Sequence, residues 1–477
     1  MGGREIYVGI HDGCPGWTRV LDQERIDHRP DDDGSAPVIV LEGRLPTWAS
    51  DYVESGGVVV VSGALPGDQL LPSGSIASVS GFTAPERGER VWAPALATLF
   101  EGTGTGEVRL HEDRVVKYGL DPDVFPAVIA RRYGRGAVVA SGLPLASLLH
   151  APGDRLRRFS RFSEVTERVA SVDKADVVDT LAWMLARAFE LAGLPLVTLP
   201  RFPDGADSVL IFRVDVDGVY GDNMRALAES VTRHRIAASF YLNGDLSSAH
   251  DGALSGWGPG TEVGQHGHLH TLLSTTAENV ENLRAGEAWV QSRTGIRPTS
   301  FVGPRGLWNP QLGEALICLG YTYSSDFGLD FDSLPFRADA GVLQVPVHPY
   351  SPERAAAWAD EQDRPAPTAA EVSDHYVRAI TEQVRLGRPA HVYGHPQVLG
   401  RMVDDVIPAL SAAADRHSLP RLTLADYADF WLRRERLTPR VELMSDGSFE
   451  VSVNGAELEP TVRAPSGSPV VVNRRPL

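Results

Sequence analysis

Short apolar runs alternate with amphipathic stretches along most of the chain. In the first part, the runs APVIVLEG, VVVVSGA and GAVVASGLPLASLL are rich in β-branched residues, and a helical pattern such as TWASDYVESGG separates them. Continuous apolar strands joined by helices are typical of a parallel sheet that is covered on both faces. We therefore predict an α/β domain over residues 1–150, with EIYVGI as its first strand.

The alternation resumes after the Pro- and Gly-containing break LPRFPDG and continues to about residue 435. Here several strands end in polar residues, as in VLIFRVDVDG and PAHVYGHP. Repeated strand–helix units bring the carboxyl ends of their strands to one face, so we expect one site there. Residues 151–204, a charged stretch followed by a helix from Ala175, are predicted to connect the two domains.

The last residues, 436–477, have a different pattern. The segment VELMSDGSFEVSVNGAELEP has DG and NG turn signals between short alternating runs. This pattern predicts a small β-hairpin extension, for which packing, an oligomer contact and carbohydrate binding remain equal alternatives.

Composition and charge limit the classes of partner. The 477 residues carry a formal net charge of -17, which disfavours nucleic acid and anionic membrane as partners. The apolar helix at 177–192 contains Asp179, Arg187 and Glu190, so we expect no integral membrane segment. The opening MGGREIYVGIHDG shows no Sec signal, which leads us to expect a cytoplasmic protein. A homo-oligomer is compatible with this composition.

Candidate chemistry is concentrated in two segments. FRVDVDG carries Asp215 and Asp217 at a strand end, and VGQHGHLH carries His266, His268 and His270. Aspartate and histidine are ordinary ligands of a divalent ion such as zinc, and a further carboxylate can serve as a base for water. Because alternate residues of a strand point to the same side, either aspartate could be the ligand.

Five segments in this order resemble the NodB-homology polysaccharide deacetylases, carbohydrate esterase family four (CE4), over residues 205–435. The segments are FRVDVDG, EVGQHGHLH, TSFVGPRG, GYTYSSDFG and PAHVYGHPQ. The resemblance implies a distorted (β/α) barrel of seven strands that removes acyl groups. It also implies a divalent metal cofactor. Zinc is the first expectation, and cobalt, nickel and manganese are the alternatives.

The same resemblance implies a role for individual residues. Asp217, His266 and His270 would bind the metal, and His268 matches no ligand position. Asp215 would be the general base, in a variant first motif that is similar to that of lipid-linked aminoarabinose deformylases. His395 would be the general acid, and Asp326 would orient it.

The third motif departs from the family pattern. Val302 stands where the family has an arginine that orients the catalytic aspartate. Arg213 and Arg305 are alternative replacements, and the backbone N–H of Arg305 is the expected oxyanion donor. His348 lies between motifs, as either a pocket residue or a strand-end histidine.

The N-terminal rhythm of helix, Gly-Gly, valine strand and Gly resembles flavodoxin-like domains of the class I glutamine amidotransferase type. An active amidotransferase needs a cysteine at a strand-to-helix elbow, whereas Cys14 lies in the early loop HDGCPGW. We therefore expect residues 1–150 to be noncatalytic.

Together these features predict a metal-dependent hydrolase that removes an N-acetyl or N-formyl group from an N-acylated sugar or glycan. Two alternatives remain. One is a hydrolase of a small cyclic amide, as in allantoinase-like relatives of the barrel. The other is a catalytically weak carbohydrate-binding or scaffold protein, prompted by Val302.

Overall fold

The computed structural model describes residues 3–85, 90–101, 109–112, 126–158, 166–218, 221–247, 258, 260–361, 363–454, 458–465 and 469–475. The chain forms two compact units of mixed α/β structure. Unit 1 comprises Met1–Pro152, Ser171–Pro200 and Arg434–Leu477, and unit 2 comprises Gly153–Ala170 and Arg201–Arg433.

The main sheet of unit 1 has six described strands. In spatial order they are His28–Pro30, Val8–Ile10, Val38–Glu42, Val58–Ser62, Gly136–Ser141 and Val128–Tyr133. All neighbours are parallel except the last pair, which is antiparallel. The two central strands Val38–Glu42 and Val58–Ser62 are apolar and buried along almost their whole length, as a sheet covered on both faces requires.

Three smaller sheets complete unit 1. Their strands are Arg90–Phe100, Gly74–Thr83 and Arg109–Glu112 in the first; Arg4–Ile6, Arg440–Leu443, Phe449–Asn454 and Val470–Arg475 in the second; and Leu196–Thr198 with Thr461–Arg463 in the third. The segment EIYVGI, expected to be one strand, is therefore two. Arg4–Ile6 pairs with the C-terminal hairpin, and Val8–Ile10 joins the main sheet.

The described α-helices of unit 1 are Pro15–Glu24, Ala49–Glu54, Leu145–Leu148 and Lys174–Ala192. The last of these buries Val177, Leu181 and Leu185 in the core and ends at Gly193. None of the described helices of the protein combines the length and apolarity that crossing a membrane would need.

Unit 2 is built on a sheet of nine described strands. Eight follow one path in the order Phe336–Arg337, Leu343–Gln344, Tyr323–Ser324, Ser300–Phe301, Thr261–Gln265, Ala238–Leu242, Leu210–Val216 and Ala390–Gly394, and Arg421–Leu422 also pairs with Leu210–Val216. Only Phe336–Arg337 runs antiparallel to its neighbour. Its parallel strands, most of them followed by a helix, agree with a (β/α) arrangement, but the expected count of seven strands is not confirmed.

Helices connect the strands of this sheet. In the described part of unit 2 they are Gly221–Arg233, Thr276–Thr294, Pro310–Cys318, Pro352–Glu361, Ala369–Arg385, Pro396–Leu399, Val403–Arg416 and Leu424–Arg434, which ends one residue into unit 1. Thr276–Thr294 begins with a capping box between Thr275 and Glu278 and ends at Gly295, whose φ is 72°.

Unit 2 also contains an antiparallel pair of strands, Asp154–Arg158 and Thr166–Ala170, which precede the main sheet in sequence. Val169 and Ala170 lie in one apolar cluster with Phe327, Phe331 and Tyr393. The second strand is therefore packed against the rest of unit 2.

Candidate active site

Parallel strands of the unit 2 sheet bring the candidate residues together, and His266 directly follows the strand Thr261–Gln265. Leu210–Val216 is buried at every position and pairs with Ala238–Leu242 on one side and Ala390–Gly394 on the other. Asp215 and Asp217 lie at the carboxyl end of this strand, and His395 directly follows the strand Ala390–Gly394. The carboxyl ends of parallel strands share one face, so these residues are placed on the same side of the sheet.

Asp217, His266 and His270 form a compact cluster. One possible ligand atom from each lies within 4.8 Å of the other two. His270 Nε2 is 3.4 Å from Asp217 Oδ2 and 3.2 Å from His266 Nε2. The aspartate that faces the two histidines is therefore Asp217.

The orientation of His266 is set by the main chain. Its Nδ1 lies 2.7 Å from the carbonyl oxygen of Val302, so Nδ1 carries the proton and the lone pair is on Nε2, towards the cluster. Burial lowers the pKa of His266. Burial lowers the pKa of His270 to about 4, and the neighbouring His266 and Arg305 act in the same direction. The charge of Asp217 acts in the opposite direction but is outweighed. Both imidazoles are neutral near pH 7, the form that binds a metal.

The helix Thr276–Thr294 supports the loop that carries these histidines. Asn282 Oδ1 accepts a hydrogen bond of 2.6 Å from the N–H of Leu269. Gly286 packs so closely that a Cβ there would lie 2.3 Å from Gln265 Oε1 and 2.9 Å from the backbone nitrogen of His268. The loop is therefore held by a side-chain amide and by a glycine contact.

Asp215 is held by Arg213 in a buried ion pair. The Arg213 Nη2 to Asp215 Oδ2 distance is 2.8 Å, and Arg213 Nη1 donates to the carbonyl and hydroxyl of Ser325 at 2.8 and 3.0 Å. Burial would raise the pKa of Asp215, but the charges of Arg213, His266 and His395 together with the Arg213 hydrogen bond lower it below its ordinary value. Asp215 Oδ1 has no hydrogen-bond partner among the described residues. Of the two arginines considered for the role left open by Val302, Arg213 is the one that contacts Asp215.

His395 is paired with Glu353, a residue that the sequence motifs did not indicate. His395 Nδ1 lies 3.1 Å from Glu353 Oε2, and His395 Nε2 lies 3.7 Å from Asp217 Oδ2. Burial alone would lower the pKa of His395, but the hydrogen bond and charge of Glu353 outweigh it and raise the pKa to about 9. Glu353 is itself held by the Ser351 hydroxyl at 3.1 Å and the Leu399 N–H at 3.3 Å.

Asp326, which was expected to orient His395, forms no hydrogen bond with it in the described part of the chain. Asp326 accepts from the N–H of Gly303 at 2.7 Å, from the Ser324 hydroxyl at 2.5 Å and from the Gln344 amide at 3.2 Å. Burial raises its pKa to about 6. Through its bond to Gly303, Asp326 holds the segment that joins the strand Ser300–Phe301 to the turn Pro304–Gly306.

Arg305 occupies that turn with a φ of 59°, an unusual value for a residue with a side chain. It lines the same cavity as Asp215 and His395. His268 and His348 do not line this cavity. His348 Nδ1 lies 3.0 Å from Asp332 Oδ1, and its Nε2 lies 3.3 Å from His375 Nε2.

The cavity has a volume of about 700 Å³. It is lined by Leu156, Glu167, Arg168, Asp215, Asp217, His266, His270, Arg305, Gly306, Leu307, Phe327, Ser351, Glu353, Arg354, Ala357, Tyr393, His395 and Gln397. Apolar and ionisable side chains thus share one opening, as in a site that positions an apolar group beside reactive ones.

No protein-family model matches the chain, and no curated protein sequence matches it. Several solved structures of CE4 proteins match about half of it. A Mycobacterium smegmatis protein assigned as a polysaccharide deacetylase is 18% identical, with 49% of this chain and 93% of that chain covered and a TM-score of 0.40. The peptidoglycan deacetylase PdaC from Bacillus subtilis is 18% identical, with 48% of this chain and 93% of that chain covered and a TM-score of 0.33. BA3943, a CE4 family pseudoenzyme from Bacillus anthracis, is 12% identical, with 46% of this chain and 66% of that chain covered and a TM-score of 0.32. At these identities and TM-scores the likeness assigns no activity to the chain.

Proposed function

We propose that unit 2 is a metal-dependent hydrolase that removes an N-acetyl or N-formyl group from an amino sugar or glycan. The observation that carries this proposal is the convergence of Asp217, His266 and His270 between two other ionisable groups, Asp215 and His395. A ligand cluster alone is compatible with a structural ion. A cluster accompanied by a buried carboxylate and a partly buried imidazole in the same cavity is typical of a hydrolytic site.

The three clustered residues fit a divalent metal such as zinc. They offer one carboxylate and two neutral imidazoles, and the carbonyl of Val302 orients the first imidazole. A metal bound there would polarise an acyl carbonyl and acidify water. Three protein ligands leave room for a substrate, which is typical of catalytic rather than structural zinc sites.

Asp215 and His395 are suited to opposite proton transfers. Asp215, kept ionised by Arg213, would accept a proton from the attacking water through its unpartnered Oδ1. His395, kept protonated by Glu353, would donate a proton to the departing nitrogen. Arg305 would present its backbone N–H to the oxygen of the tetrahedral intermediate.

The acylated sugar is proposed as the substrate because of the lining of the cavity. Leu307, Phe327 and Tyr393 provide apolar surface for a small acyl group. A volume of about 700 Å³ is enough for a sugar ring beside it. The cytoplasmic location expected from the sequence remains a prediction.

For unit 1 we propose a flavodoxin-like, noncatalytic role. Its parallel strands follow the order 2-1-3-4-5 when numbered along the chain from Val8–Ile10, which is the flavodoxin-like order. Burial raises the pKa of the Cys14 thiol to about 11, so this cysteine is poorly suited to act as a nucleophile.

The test is to measure acetate and formate release from N-acetyl and N-formyl amino sugars and their oligomers, using metal-loaded protein. We expect release by the wild type and its loss in Asp215→Asn, which keeps the shape of the side chain and removes the base. Glycan binding without release by the wild type would overturn the hydrolase proposal and favour the carbohydrate-binding alternative.

A further inference from the structure

A glutamate from outside the main sheet lines the candidate cavity. Glu167 lies in the strand Thr166–Ala170, which pairs with Asp154–Arg158 and precedes the main sheet of unit 2. Two contacts fix this strand pair beside the cavity. The N–H of Ala170 lies 3.4 Å from the carbonyl oxygen of Phe327, and the guanidinium of Arg157 lies 5.3 Å from the Phe331 ring centre.

The side chain of Glu167 is buried, and one of its carboxyl oxygens accepts no hydrogen bond from the described residues. The residue is 8% exposed, and the oxygen without a donor is Oε1. Burial raises the pKa of Glu167 to about 7, although the charges of Arg354 and His395 act in the opposite direction. A buried carboxyl oxygen that lacks a hydrogen-bond donor is destabilising, so its presence needs an explanation.

The other groups of the cavity leave one role for it. The metal-ligand cluster does not include Glu167, and the proposed base and acid are Asp215 and His395. A purely structural carboxyl group would be expected to accept a hydrogen bond from its surroundings, and Oε1 accepts none from the described residues. The remaining role for Glu167 is to accept a hydrogen bond from a donor group of the substrate.

We propose that Glu167 is a substrate-binding residue that accepts a hydrogen bond from a hydroxyl group of the sugar ring. The strand pair Asp154–Arg158 and Thr166–Ala170 then forms a specificity-determining wall of the cavity. A sugar hydroxyl is the suitable donor because it is neutral and can bond the carboxyl group in either protonation state. This inference rests on the proposed function, since it assumes that the sugar occupies this cavity.

The test separates the sugar from the acyl group. Hydrolysis of N-acetylglucosamine is compared with hydrolysis of 4-nitrophenyl acetate, which has no sugar, in Glu167→Ala and Glu167→Gln. We expect Glu167→Ala to lower kcat/KM for the sugar roughly 10- to 100-fold, mainly through KM, and to leave ester turnover and bound metal unchanged. Glu167→Gln keeps one acceptor oxygen and should lose less.

Glu229 is an exposed glutamate of the helix Gly221–Arg233. The substitution Glu229→Gln is the control and should change neither reaction. Equal losses for sugar and ester in Glu167→Ala, or no loss in either, would overturn the role of Glu167. If the wild type hydrolyses neither compound, the proposed function fails. Calorimetric titration with N-acetylglucosamine then decides for Glu167 separately: weaker binding by Glu167→Ala supports its role, and unchanged or undetectable binding by both proteins contradicts it.

Discussion

Asp215 and His395 show how charged neighbours can offset burial and keep a side chain ionised. Burial favours the neutral form of both side chains. Arg213 counteracts it for Asp215, whose pKa is lowered, and Glu353 counteracts it for His395, whose pKa is raised to about 9. Each candidate proton-transfer group is thus kept charged by neighbours of opposite sign, with Arg213 the largest contributor for Asp215 and Glu353 for His395.

Glu353→Gln tests this arrangement at the residue scale. The amide keeps the shape of Glu353 but removes the charge that stabilises protonated His395. We expect kcat for deacylation to fall about 10- to 100-fold with KM and bound metal little changed, because general acid catalysis contributes about 10²- to 10⁴-fold. Steady-state kinetics with metal analysis on the same samples checks it. An unchanged kcat would show that Glu353 does not support His395.

The sequence motifs indicated most of the site residues but few of their partners. Asp217, His266, His270, Asp215 and His395 follow strands whose apolar pattern is plain. Glu353 and Glu167 stand in segments that no strand-end motif marks, and only the folded chain places them in the cavity. The proposed partner of His395, Asp326, was inferred from motif order, which carries no distance information.

At the scale of elements, the helix Thr276–Thr294 is the support of the candidate metal cluster. It begins with a capping box and ends at Gly295, and both signals are readable in the sequence. Its buried face includes Asn282 and Gly286, which contact the loop 265–269. The helix itself could therefore be predicted, whereas the use of a polar and a small residue to hold the histidine loop could not.

Gly286→Ala tests this support. Alanine favours a helix by about 1 kcal/mol over glycine, but its Cβ would lie 2.9 Å from the backbone nitrogen of His268. We expect a net loss of about 1–3 kcal/mol in the free energy of unfolding and weaker metal binding.

Ala285→Gly, at the exposed neighbouring position, is the control. It should cost about 1 kcal/mol through helix propensity and leave metal affinity unchanged. Urea unfolding and a metal titration measure both quantities. Stabilisation by Gly286→Ala, or equal metal affinity in the two variants, would contradict the supporting role of the glycine contact.

At the scale of the whole molecule, the chain passes between its two units more than once. Residues 153–170 belong to unit 2 and 171–200 to unit 1, and the C-terminal strands return to unit 1. Arg4–Ile6 pairs with Arg440–Leu443, more than 400 residues away in sequence. Local patterns predict the strands but not such pairings, because nothing in a short edge strand specifies a distant partner.

Buried histidines should make the stability of the folded protein depend on pH. Burial, assisted by the charges of His348 and Arg378, lowers the pKa of His375 from 6.5 to about 2. Below pH 6.5 the unfolded chain takes up a proton at this position and the folded protein does not. Stability is therefore retained above pH 6.5 and is lost progressively as the pH falls towards 2.

The expected result for His375→Asn is a smaller loss of unfolding free energy between pH 6.5 and 5, by up to about 1.4 kcal/mol per pH unit. Urea unfolding of both proteins across this range measures the difference. Parallel pH profiles for wild type and variant would contradict the link between His375 and acid sensitivity.

Asp217, His266 and His270 are proposed to bind a catalytic metal. The direct measurement is metal content by mass spectrometry after zinc loading and dialysis, with deacylation assayed on the same samples. We expect stoichiometric zinc in the wild type and in Asp215→Asn, loss of zinc in Asp217→Ala and His266→Ala, and activity in the wild type alone. Full activity after chelation, or zinc retained by Asp217→Ala at the wild-type level, would contradict the assignment of these three residues as ligands of a catalytic metal.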